Sequence, residues 1–155
     1  MQHNDQGAFG VVLNRPANEQ IKRAWSNLTG NVNDSQRHIS QGGPFAGPVF
    51  ALHQQANLGE QQVQNGLYFS TTKESLLKLA TEAQAPYRIF FGAAGWAPGQ
   101  LEQEVQRGIW LMIPASQATI FCDPDIQWDL AIRQYGRNAW ESLGVTGFPC
   151  NPQAN

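Results

Sequence analysis

Apolar residues along the chain fall into short runs broken by polar stretches rich in glycine and proline, and the period of each run predicts an element. Residues 9–14 (FGVVLN) are β-branched and aromatic and end at Asn14-Arg15-Pro16, which predicts a buried strand entering a turn. Ile21, Ala24, Trp25 and Leu28 share one helical face, so a short helix is expected over 21–28, followed by a surface loop at 30–35. The segment His38 to Ser40 leads into Gly42-Gly43-Pro44 and Gly47-Pro48, after which 49–53 and 66–70 have strand patterns. Thr71 and Glu74 have capping-box spacing and predict a helix over 73–83, closed by Pro86.

Residues 87–92 (YRIFFG) read as a central strand running into Ala93-Ala94-Gly95-Trp96. Leu101 and Val105 then mark a short helix that starts among acids and stops at Gly108. Two further strands are expected at 109–114 and 120–122. Asp123 and Pro124 suit the N-cap and first position of a helix whose face is Trp128, Ala131, Ile132 and Tyr135 and which closes at Gly136. A last short helix is predicted over 138–143 and an irregular tail over 145–155.

The chain lacks a fixed-period repeat, and its strands and helices do not alternate as a doubly wound sheet requires. The expectation is one α+β domain over 1–144: a mixed, largely antiparallel sheet, able to curl toward a barrel, with flanking helices. At 155 residues it is long enough to bury a core without disulfides or metals.

Composition narrows the functional classes. Apolar residues make up 41% and charged residues 14%, with Gln and Asn supplying much of the polar remainder. A net charge of −2, with ten scattered basic residues, argues against direct nucleic-acid binding, which needs clustered Lys and Arg. No apolar stretch approaches the roughly 18–20 residues of a membrane span, and Met1-Gln2-His3-Asn4-Asp5 has no secretory pattern, so the expected location is the cytoplasm. Cys122 and Cys150 form no C-x-x-C and are expected to be free thiols, Cys122 inert and partly buried.

Candidate chemistry is sparse. His3, His38 and His53 lack ligand spacing, so neither a metal nor a cofactor is expected. No G-x-S-x-G elbow occurs. Gly92 to Gly99 (GAAGWAPG) resembles an anion-cradling loop between strand and helix, or else a tight crossover in which Trp96 plugs the core. Arg15 can hold a carboxylate or phosphate of a ligand, or pair internally with Glu102 or Glu104. Glu102 and Glu104, two apart on a helix, point in different directions and read as solvated acids.

The strings His3-Asn4-x-x-Gly7-Ala8-Phe9-Gly10-x-x-Leu13-Asn14-Arg15-Pro16, Gly42-Gly43-Pro44, Leu52-His53 and Gly95-Trp96-x-Pro98-Gly99-Gln100-Leu101-Glu102-x-Glu104 together resemble the AlgH-like (YqgE) family. The resemblance runs from His3 to about Trp140. It implies a family described mainly as uncharacterised, with a transcriptional-regulator label. Members usually begin with a further stretch, including a strand leading into the His-Asn segment. A chain without that strand is expected to leave a sheet edge unpaired and to dimerise weakly or aggregate, which a monodisperse monomer in light scattering would contradict. The ending, Gly147-Phe148-Pro149-Cys150-Asn151, also departs from the family pattern.

The function expected is a binding module for a small metabolite or a protein partner, regulating transcription indirectly if it regulates it at all. Its candidate site is Asn14, Arg15, Gly42, Gly43, His53, Gly95, Trp96, Gln100 and Glu102, because mixed sheets gather ligands at glycine-rich strand ends. The alternative is an enzyme with a non-contiguous active site near Arg15, His53 and Glu102; no linear motif identifies catalytic residues.

Overall fold

The computed structural model describes residues 2–30 and 39–142. His38, Cys150, the 145–155 tail and the 31–35 part of the predicted loop lie outside the described residues.

The organising element is β7 (Tyr87–Trp96), paired along both edges. One edge carries β4 (Phe45–His53), antiparallel, with Ala51 opposite Ile89 and His53 opposite Tyr87. The other edge is shared: β3 (Ile39–Gln41) runs parallel to its first half, and β2 (Gly7–Gly10) runs antiparallel to its second half, with Ala8 opposite Trp96. Beyond β2 lies β1 (Gln2–Asn4); beyond β4 lie β6 (Leu67–Ser70) and β5 (Gln61–Gln64). The sheet is therefore mixed but largely antiparallel, as expected for the α+β class, and it has seven strands among the described residues.

Strand alternation sorts side chains between two faces. Val49, Ala51, Tyr87, Ile89 and Phe91 face α1 (Glu19–Thr29) and α2 (Lys73–Glu82), which contribute Trp25, Leu76 and Leu79. Burying Trp25 completely removes about 150–250 Å² of ring surface from water, on the order of 4–6 kcal/mol before entropy is charged. Phe50, Leu52 and Phe90 face the other way, onto Leu67, Ile120, Val11 and Leu13. The order of α1 is secured at its start by Asn18, whose side chain accepts the Ile21 N–H at 2.9 Å, and at its end by Gly30.

Close backbone packing explains Gly42 and Gly43. They continue β3 alongside β7, the Gly42 N–H donating to Phe91 O at 2.8 Å. A Cβ on Gly42 would collide with the Gly92 carbonyl, and one on Gly43 with the Ala93 backbone.

Several expectations are corrected. The strand expected at 9–14 is Gly7–Gly10, preceded by the unforeseen β1; beyond it Val12 leaves the ladder, its N–H donating to Gly42 O at 2.7 Å. The polar stretch before β6 hides the β5 strand, which forms a hairpin with β6. The cap of α2 is Thr72, not Thr71: the Thr72 hydroxyl oxygen accepts the Ser75 N–H, while the Thr71 hydroxyl donates to Glu60 Oε2 at 2.8 Å. Residues 109–114 are not a strand: they pair with no strand of the sheet, and Ile109, Trp110, Leu111 and Met112 lie exposed outside it. Residues 120–122 do not form a strand either, since Ser116 and Thr119 build a capping box that starts α4 (Gln117–Phe121). Finally, α5 (Pro124–Ser142) runs unbroken through Gly136, where two helices were expected. Asp123 does cap it, accepting the Asp125 N–H at 2.9 Å.

Candidate functional site

At the far end of β7 the strand continues through Gly95 and Trp96, so the presumed loop is mostly ladder and only Ala97-Pro98-Gly99 turns into α3 (Gln100–Gln106). The turn is held by Gln100, whose Oε1 accepts the Ala97 N–H at 3.0 Å. Gly108 (φ 71°) then stops α3 and frees 109–116 to run back across the surface.

Trp96 is not a core plug. It is half-buried, and its Nε1–H donates to Glu104 Oε2 at 3.0 Å. Trp110 Nε1–H donates to the same oxygen at 2.7 Å, while Gln100 Nε2 donates to Glu104 Oε1 at 2.9 Å. The two indole rings meet at 78° with centroids 6.0 Å apart. Hydrogen bonds from Trp110, Gln100 and Trp96, in that order of weight, hold the Glu104 carboxyl below the ordinary carboxylate range. It is thus an anion satisfied entirely by neutral donors, with Arg107 contributing only weakly from a distance.

This pair of indoles separates two apolar clefts. One, of about 340 Å³, is lined by Val11, Leu13, Asn14, Trp96, Trp110 and Trp128 together with Gln127 of α5. The other, of about 440 Å³, lies between Trp96, Leu101, Val105, Trp110 and Met112, with His3 and Glu102 at its rim. Glu102 pairs with His3 Nε2 at 2.5 Å. Its carboxyl is lowered, first by its own backbone N–H and then by His3.

Asn14, Trp96, Gln100 and Glu102 of the predicted site therefore do gather at this end of the sheet. Gly95 is a neighbour on β7, opposite Phe9 and against the Phe45 ring. Arg15 is exposed and makes no ion pair among the described residues; the partners expected for it are engaged elsewhere, Glu102 by His3 and Glu104 by the indoles. Gly42 and Gly43 serve backbone packing inside the sheet.

His53 belongs to a different place. It sits opposite Tyr87 at the start of β7, nine residues from Trp96, on the order of 30 Å along the strand at roughly 3.3 Å per residue. It is fully buried. Its Nδ1 accepts the Gln55 N–H at 3.3 Å, so Nε2 carries the proton and donates to Ser70 Oγ at 2.9 Å. Ser70 in turn donates to Leu58 O at 2.6 Å. Every polar atom of this chain is spent on structure, and His53 cannot share a cleft with Glu102, which removes the geometry of the enzyme alternative.

Cys122 is half-buried, its Sγ–H donating to Thr119 O at 3.3 Å. Among the described residues no three His, Cys, Asp or Glu side chains converge on one point, and no helix is long and apolar enough to cross a membrane.

Sequence reasoning missed Trp110, Trp128 and Gln127, and it read Glu104 as a solvated acid, whereas two indoles and an amide bind it. The 100–104 spacing of Gln and Glu on one helical face was a usable signal; the approach of Trp110 and Trp128 depends on tertiary packing and had none.

Comparison with known proteins agrees with this architecture. The AlgH-like family model matches residues 1–140. A UPF0301 protein of Methylococcus capsulatus is 36% identical over 141 residues, covering 86% of this chain and 78% of that protein. A UPF0301 protein of Nitrosospira multiformis is 36% identical over 132 residues, covering 77% and 68%. The solution structure of the AlgH protein from Pseudomonas aeruginosa superposes with a TM-score of 0.71 at 29% identity, over 95% of this chain and 82% of that one. Protein DIP2367 of Corynebacterium diphtheriae shares the fold, with a TM-score of 0.64 at 23% identity over 86% of this chain and 74% of that one. With a match of this extent and a shared architecture, the chain belongs to the AlgH-like family.

Proposed function

We propose that the protein is a binding module whose seat is the cleft walled by Trp96, Trp110 and Trp128, and whose ligand is a small molecule or a side chain projecting from a protein partner. The observation that carries this reading is the pinning of two indoles at right angles on one carboxylate, which fixes the cleft walls before any ligand arrives. The surroundings support it: Ile109, Met112 and Trp128 are 54, 69 and 63% exposed, more apolar surface than an isolated monomer gains by displaying. Any influence on transcription would pass through the bound partner, given the scattered basic residues.

The test is a fragment screen read on the tryptophan indole N–H resonances of the ¹⁵N-labelled protein, assigned by single Trp→Phe variants. Fragments seated in the cleft shift the Trp96, Trp110 and Trp128 signals and leave buried Trp25 in place. A diverse library that moves none of the three would sink the proposal.

A further inference from the structure

Resting on that reading, we infer that the cleft of Trp96, Trp110 and Trp128 selects an organic cation, an alkylammonium or guanidinium group, over a neutral group of the same shape. Three independent features meet there. Three indoles line one cleft of about 340 Å³, two of them crossed at 78° so that their faces form a corner. Indole is the aromatic ring that attracts cations most strongly.

The second feature is Glu104. Its Oε2 accepts both indole N–H groups, and its other oxygen accepts an amide, so a full negative charge stands at the edge of the aromatic corner without an ion-pair partner among the described residues. A carboxylate accepting an indole N–H pushes electron density into the ring and deepens the negative potential over its face. The charge also acts directly on a cation seated against the indoles.

The third feature is Gln127. It is 93% buried on the α5 side of the same cleft, and its amide nitrogen donates to Thr119 O at 2.5 Å, which fixes Oε1 as the remaining acceptor. Oε1 is buried without a hydrogen-bond partner. Buried acceptors left unpaired are rare, and a donor-bearing ligand head that reached behind the cleft wall would satisfy it. The basic side chains nearest in sequence, Arg15 and Arg107, are both exposed and do not line the cleft.

Choline and its uncharged isostere 3,3-dimethyl-1-butanol, titrated separately into the ¹⁵N-labelled protein, discriminate charge from shape. Choline is expected to shift the Trp96, Trp110 and Trp128 indole signals with an affinity at least about five-fold above that of the alcohol, as a cation facing several indoles should. In Glu104→Gln, which keeps acceptors for the indoles but removes the charge, the preference should fall to less than about two-fold. Acetyl-arginine amide, run in parallel, separates a guanidinium from a partner's side chain (arginine tighter) from a free quaternary amine (choline tighter). Equal binding of choline and the alcohol, or binding by neutral fragments alone, overturns the cation inference while leaving a binding module. Silence from every compound defeats both readings.

Discussion

Trp96 and Trp110, fourteen residues apart in sequence, donate their indole N–H groups to one and the same oxygen, Glu104 Oε2. A strand end, a short helix and an irregular return segment are thereby tied at a single atom. Glu104→Ala should move the Trp96 and Trp110 indole resonances together and lower the melting temperature by a few degrees. Glu104→Gln should leave the two signals close to their original positions. Independent movement of the two signals in Glu104→Ala would show that they do not share the acceptor.

The buried His53 makes a pH prediction. Burial pushes its imidazole below the ordinary 6.5, so the unfolded chain takes up a proton that the folded chain refuses. Its contribution to stability is whole above pH 6.5 and is lost as pH falls toward the lowered value, by at most about 1.4 kcal/mol per pH unit. Urea midpoints at pH 7.5, 6 and 5 should show this slope, and His53→Asn should flatten it. Ser70→Ala, which orphans His53 Nε2–H and the Leu58 carbonyl, should cost about 2–3 kcal/mol.

Glu60 titrates in a separate window. Desolvation raises its carboxyl, but the backbone and hydroxyl donors of Thr71 and Thr72 together outweigh it and hold the group at about 2. Its contribution is complete above pH 4.5 and disappears between there and about 2. Because the side chain is exposed, Glu60→Gln should cost only about 1–2 kcal/mol at pH 7. The penalty should shrink steadily below pH 4.5; a penalty as large at pH 2.5 as at pH 7 would contradict the assignment.

Arg88 braces the interior. It is 5% exposed and donates to Ile120 O, Leu13 O and Ser40 Oγ, joining α4, the post-β2 segment and β3 to β7. Arg88→Met should strand all three acceptors and destabilise the fold by more than about 3 kcal/mol; Arg88→Lys, with fewer donors in a less rigid array, should recover only part of this. Chemical denaturation of the two variants measures the difference.

Much of the frame was legible in the sequence, for stated reasons. The apolar run at 87–92 and the one-faced pattern at 21–28 depend on contacts within a few residues, and both appear as elements, the strand extending to Trp96 and the helix spanning Glu19–Thr29. The run 109–114 misled because apolarity says that a segment seeks cover, not that a strand edge is free to pair with it. His53 looked reactive from its residue type; its position in the Val49, Ala51, His53 alternation placed it instead on the face covered by helices. Of the candidate site, the 95–102 string was visible as a motif, whereas its partners on α5 are assembled only by the tertiary fold.

The double pairing of β7 also sets a timetable for synthesis. β4, β5 and β6 pair among themselves, with β6 in the middle, and can assemble as soon as residue 70 has left the ribosome. β3 has no such local partner and β2 has only the short β1 strand: their other ladders are to β7, some 50 to 90 residues downstream. Until residue 96 emerges, β3 and the β7-facing edge of β2 wait without a mate, and these are segments a ribosome-associated chaperone would hold.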